Sequence, residues 1–263
     1  MHYLPQHLCF DEFKSQLERC PLFSSTLKRG RLWISWRTED YILKEYFLRY
    51  SKKARDAVKT IVIDMYSPYI SLIQEVFPKA EIVLDKFHIL QLFSRALNKT
   101  RINVMNRDKK NYNKLKKYWK LLLKDQTKLD YKNYTYHRCF KKHMCEVEIL
   151  HYLIDLDSEL KASYELYQYV RHCIKIKDFE LLKKTLANKQ NSVSSYMKTA
   201  IKTINNYINY IENTLKYDYN NGILEEINNK IKVIKRISFG YRSFYHFRNR
   251  IFITQNLAKI KTA

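Results

Sequence analysis

The chain has 263 residues, 46% of them apolar, with 49 Lys and Arg against 26 Asp and Glu, a formal net charge of +23. That length holds one large domain or two small ones, and three Gly with four Pro are too few for a turn-rich all-β protein, so long helices are favoured. The charge points to a polyanion, nucleic acid first and a membrane surface second, and fits an RNA-binding structural role as well.

In chain order, the N-terminus MHYLPQHLCFDEF lacks the basic and apolar regions of a secretory signal. HLCFDEF reads as a short strand carrying Asp11. Residues 14–37 show no sustained period. From Thr38, a plausible N-cap, the pattern turns helical, with Ile42, Leu43, Tyr46, Phe47 and Tyr50 on one stripe. Ile61-Val62-Ile63 reads as a buried strand that stops on Asp64. Ser67 is expected to cap a helix with Pro68 at its first position, and Pro78 to end it. The apolar face of that helix is Tyr69, Ile70, Ile73, Val76 and Phe77. AEIVLD is a second buried strand ending on Asp85, and a long helix begins near Phe87. Strand, helix and strand in so short a span imply a parallel pair with a crossover helix.

Residues 95–220 read as entirely helical. Within them, 99–132 hold twelve Lys or Arg and three Asp, either a solvated face or a DNA-facing one. His137, Cys139, His143 and Cys145 fall in this predicted helix at a spacing that fits no usual zinc pattern. The five scattered cysteines suggest a reducing compartment, and no apolar run is long enough to span a membrane, so a cytoplasmic protein is expected. The last segment starts with a periodic helix whose apolar stripe is Leu224, Ile227, Ile231 and Ile234. Glu225, Asn228, Asn229, Lys232 and Arg236 share its other face. No acid follows Glu226, while 230–261 hold nine Lys or Arg. Aromatic residues between them, such as Phe244 and Phe247, suit a core that covers a sheet, or bases that stack on them.

Carboxylates beyond the carboxyl ends of strands are where open α/β sheets collect functional groups. Asp11, Asp64 and Asp85 could gather hard divalent cations, which take oxygen ligands. Two such ions about 4 Å apart activate an attacking hydroxyl and stabilise a leaving oxygen at a phosphodiester. Taken singly, each Asp more commonly caps a helix or makes a turn.

The stretches VKTIVIDMYSPYISLIQEVFPKAEIVLDKFHILQLFSRALNKTR and NGILEEINNKIKVIKRISFGYRSFYHFRNRI closely resemble the ISL-three family of insertion-sequence transposases. The resemblance covers about residues 1–13 and 38–263. It implies an α/β fold, predominantly helical overall, with a ribonuclease-H-like core and a large all-helical insertion. The expected division is 1–98 for the first part of the core, 99–220 for the insertion and 221–263 for the last part. The resemblance also implies Mg²⁺-dependent DNA strand cleavage and transfer, with Mn²⁺ as a substitute ion, on transposon ends and target DNA, by a homo-oligomer. The family's metal-binding, catalytic Asp-Asp-Glu triad falls on Asp11, Asp64 and Glu225. Glu226 replaces the family's usual Gly and is a second acidic candidate there. Asp85 and His88 match an auxiliary Asp-x-x-His element. Asn228, Asn229, Lys232, Lys235, Arg236 and Arg242 are the expected DNA contacts. No zinc-binding segment or helix-turn-helix precedes residue 11, and 14–37 depart from the family pattern, so a truncated or degraded copy is expected. Its rival is an inactive basic fragment that binds DNA and inhibits intact transposase.

Overall fold

The computed structural model describes residues 3–12, 22–26, 32–34, 40–188, 192–217, 222–239, 241 and 243–254. The chain divides into two compact units, Met1–Asp85 with Tyr217–Ala263, and Lys86–Lys216. The fold is α/β and predominantly helical.

The first unit is built on a five-stranded sheet. Its strands are β1 (His7–Glu12), β2 (Leu22–Thr26), β3 (Leu32–Ile34), β4 (Thr60–Ile63) and β5 (Glu81–Leu84), in the order β3-β2-β1-β4-β5. β2 runs antiparallel to both β1 and β3, while β1, β4 and β5 are parallel. Between β3 and β4 lie α1 (Asp40–Leu48) and α2 (Lys52–Asp56), and α3 (Ser67–Val76) crosses from β4 to β5. Every residue of β4 is buried. That is what a strand covered on both faces requires, and it explains the unbroken apolar run Ile61-Val62-Ile63.

Alternation along β1 sends neighbours to opposite faces. Phe10 stacks on Phe47 of α1 at 5.6 Å, and Phe47 meets Phe77 edge-on at 5.1 Å. Cys9 instead clusters with Val62, Val83, Ile231, Ile234, Phe247 and Ile251. These last four come from α12 (Gly222–Ile237) and α13 (Phe244–Thr254), the final helices of the chain. Helices therefore cover both faces of the sheet, and the C-terminal aromatic Phe247 is core. Arg55 ties the layer together by donating from Nη1 to the Val76 carbonyl at 2.8 Å, at the α3 C-terminus where a cation is favoured.

Two expectations change. Residues 14–37 contain β2 and β3, so β1 is paired on both sides rather than left at an edge. Strands of five and three residues are too short for two-residue alternation to stand out. The α3 N-cap is Tyr66, not Ser67, and no side chain caps the helix there. The Tyr66 amide turns back onto the Asp64 carbonyl at 2.7 Å, which starts the helix at Ser67 and leaves Pro68 still inside the first turn. Thr38 lies outside the described residues.

The second unit contains α4 (Lys86–Arg107), α5 (Tyr112–Lys117), α6 (Trp119–Leu123), a hairpin of β6 (Thr135–His137) and β7 (Lys142–Met144), then α7 (Glu146–Ile154), α8 (Ser158–Ile176), α9 (Phe179–Asn188), α10 (Ser195–Asn206) and α11 (Ile208–Lys216). α4 packs on α8 and α10, so the whole of this 22-residue helix belongs to the helical unit. The contacts divide the chain at 85/86. Thr100, Ser163 and Ser194 meet in its interior, with Thr100 Oγ1 and Ser194 Oγ 2.6 Å apart. Arg101 is also buried, and its Nη1 donates to the Leu115 carbonyl at 3.0 Å. Burial lowers its guanidinium pKa.

The β6–β7 hairpin corrects the expectation of an all-helical segment, including HRCFKKHMC. Thr135 and Tyr136 favour strand, and Lys141 sits in the left-handed region at φ 53°, which closes the turn and no helix interior allows.

Candidate metal centre at the strand ends

The parallel ladder sets the level of the acidic positions. Cys9 pairs with Val62, and Val62 with Val83. Position 11 stands two residues past Cys9, Asp64 two past Val62 and Asp85 two past Val83. The Asp85 amide donates to the Ile63 carbonyl at 3.0 Å, extending the ladder one step beyond both strands. Three adjacent parallel strands thus bring an aspartate to one level, position 11 within β1 and Asp64 and Asp85 one residue past β4 and β5.

Asp64 and Asp85 converge there with His88 from the first turn of α4. One carboxylate oxygen of each Asp and one imidazole nitrogen all lie within 4.8 Å of one another, and this is the only such cluster among the described residues. Asp85 is buried, while Asp64 and His88 are half-buried. Bringing two carboxylates together away from bulk water is costly unless a cation, a shared proton or hydrogen-bond donors offset the repulsion. The donor set fits a divalent ion. The oxygens suit Mg²⁺ or Mn²⁺, and the imidazole shifts preference away from a pure oxygen site. The Phe87 ring lies edge-on to the His88 ring at 5.5 Å and is itself half-exposed at the rim.

His88 and Asp85 were expected only as auxiliaries. They stand beside Asp64 because β4 and β5 are neighbours in register. The signal was in the sequence as two runs of one grammar, IVID and IVLD, but only strand adjacency makes them one place. The side chains of Asp11 and Glu225 lie outside the described residues; their backbones fall on β1 and in the first turn of α12. Glu226 is exposed and paired with Lys230, its Oε1 2.7 Å from Nζ, and that pairing lowers its pKa. Of the expected DNA contacts, Asn229, Lys232 and Arg236 are exposed and Lys235 is half-buried. Asn228 is buried, because a 3.6-residue period puts it only about 60° from Ile231, at the edge of the apolar stripe. Arg242 lies outside the described residues. His137, Cys139, His143 and Cys145 form no metal cluster among the described residues.

A sheet flanked by helices, with carboxylates and an imidazole gathered beyond its parallel strands, defines an α/β protein able to hold a divalent cation. The comparisons narrow that class. The sequence matches the ISL3 family of DDE transposases, described as transposase, over residues 8–251, and the chain belongs to that family. The transposase for insertion sequence element IS1001 of Bordetella parapertussis is 26% identical over 258 residues, covering 92% of this chain and 59% of that protein. A Lactococcus lactis subsp. lactis protein named ATP-dependent protease is 36% identical over 124 residues, 46% of this chain and 40% of that protein. That name stays with that protein: the three glycines of this chain, at 30, 222 and 240, make no G-x-x-x-x-G-K phosphate loop. The chain spans less than two-thirds of the length of either curated relative. No solved structure matches it.

Proposed function

We propose that this chain carries the strand-cutting and strand-joining core of an insertion-sequence transposase, built as a ribonuclease-H-like sheet. The observation that carries the reading is the convergence of Asp64, Asp85 and His88 at the ends of adjacent parallel strands. The mixed sheet order and the family membership support it. Asp11, Asp64 and Glu225 hold the divalent metal, and Asp85 with His88 completes the site. When bound, Mg²⁺ or Mn²⁺ supplies a Lewis acid at the scissile phosphate and a more acidic attacking hydroxyl. The protein's own part is to fix the carboxylates and set the DNA against them. His88 orients or supplements the carboxylates. Asn229, Lys232 and Arg236, on the exposed side of α12, contact the DNA backbone, with Lys235 beside them. Each cation set against a phosphate releases counterions and adds affinity without reading sequence. No helix among the described residues is long and apolar enough to cross a membrane, and the working partner is DNA.

The test is incubation of the purified chain with supercoiled plasmid and Mg²⁺ or Mn²⁺, beside Asp64→Asn. Metal-dependent nicking that the variant loses supports the reading. DNA binding with no nicking by either protein contradicts it and leaves the basic DNA-binding fragment.

A further inference from the structure

The β6–β7 hairpin has an anchored face and an offered one. On the anchored face, the Tyr118 hydroxyl and His137 Nδ1 lie 2.9 Å apart, with the two rings 5.4 Å apart. His137 Nε2 reaches the Met144 carbonyl at 3.2 Å, and Met144 is buried. Phe140, in the turn, packs edge-on against Tyr152 at 5.0 Å, and the Lys114 ammonium lies 4.4 Å from the Tyr152 ring. The hairpin is therefore held by contacts that fix its direction.

On the offered face, Tyr136 is directly opposite His143, with ring centroids 5.4 Å apart. Tyr136 is 59% exposed although it sits in the middle of a strand, and His143 is exposed beside it. Tyr131 and Tyr134, just before the hairpin, are 61% and 55% exposed. A ring normally covers core, and more than half of each of these faces solvent. Beside them Arg138 and Lys141, in the turn, are exposed, and 137–145 contain no acid; Lys142 pairs with His137 and so stands on the anchored side.

We propose that this hairpin is a second DNA-contacting element, one that takes unpaired DNA by stacking bases on Tyr136 and His143 while Arg138 and Lys141 in the turn meet the phosphates. The choice of DNA rests on the transposase reading. The choice of unpaired DNA rests on the rings alone, since only unstacked bases offer a π-face to an exposed aromatic. Preformed anchoring lowers the ordering cost of such a contact.

The experiment is fluorescence anisotropy in metal-free buffer with EDTA, using a labelled single-stranded oligonucleotide and a duplex of the same sequence. Tyr136→Ala with His143→Ala leaves the melting temperature unchanged, because both residues are exposed. It is expected to weaken single-strand binding about tenfold and duplex binding by less than about twofold. Tyr136→Phe keeps the ring and restores most of the affinity. Arg138→Ala with Lys141→Gly, which tolerates the positive φ at 141, weakens both ligands and flattens the salt dependence. Equal losses on both ligands, no loss on either, or equal binding to phosphatidylserine vesicles overturns the proposal. Asp64→Asn must bind both oligonucleotides like the parent. Its loss of nicking tests the catalytic reading separately, so failure of the hairpin leaves that reading standing, and the reverse.

Discussion

The sheet-bearing unit buries apolar side chains on both faces of its central strands, with Val62 and Val83 fully enclosed. The helical unit buries polar groups as well, with Thr100, Ser163 and Ser194 meeting among α4, α8 and α10. In the first unit Ile61-Val62-Ile63 and Ile82-Val83-Leu84 run without a charge, and Asp64 and Asp85 meet where those runs end. In the second, hydroxyls fix how the helices align, and the lysines spread over the outside.

The widest breach of this contrast comes from the sheet side. Phe47→Ala removes a ring that touches Phe10 and Phe77 and is buried, and it is expected to cost about 3–5 kcal/mol in urea unfolding. In the helical unit, Ser194→Ala removes both the hydroxyl bond to Thr100 and the N-cap that accepts from the Met197 amide at 3.3 Å. A loss of about 1–3 kcal/mol is expected. If Phe47→Ala costs no more than Ser194→Ala, the contrast between the two interiors fails.

Smaller effects test the surface charges. Glu146 accepts from Lys124 and from the Asp130 amide, and these contacts lower its pKa, the Lys124 hydrogen bond most. A carboxyl depressed on folding binds fewer protons folded than unfolded, so its contribution is present above the ordinary glutamate range and fades as pH falls through the lowered value. Glu146→Gln should therefore cost up to about 1 kcal/mol at pH 7 and almost nothing near pH 3, read as the difference in urea midpoints. Smallest is Glu226→Gln, which removes an exposed pair to Lys230 and leaves the urea midpoint almost unchanged. It leaves plasmid nicking unchanged, whereas loss of nicking would move the catalytic role from Glu225 to Glu226.

Much of the sheet unit was legible because burial writes directly into sequence. Ile61-Val62-Ile63 and Ile82-Val83-Leu84 could only be covered strands, and the Tyr69, Ile70 and Ile73 stripe could only be the helix between them. β2 and β3 were not legible, since their pairing runs through backbone groups that leave no pattern in three to five residues. The β6–β7 hairpin was hidden by its lysines and histidines, which suit an exposed helix equally well; its turn depends on the left-handed Lys141. At the site, Asp64 and Asp85 were visible one by one. Their meeting with His88 depends on strand order and register, which arise only when the chain folds.

Manganese titration by calorimetry, with the parent chain and Asp64→Asn side by side, tests the central claim most directly. The account predicts saturable Mn²⁺ binding that the variant weakens at least about tenfold, with the apo variant melting no lower than the apo parent. Equal Mn²⁺ binding by the two proteins, or none by the parent, would contradict a metal centre at the strand ends.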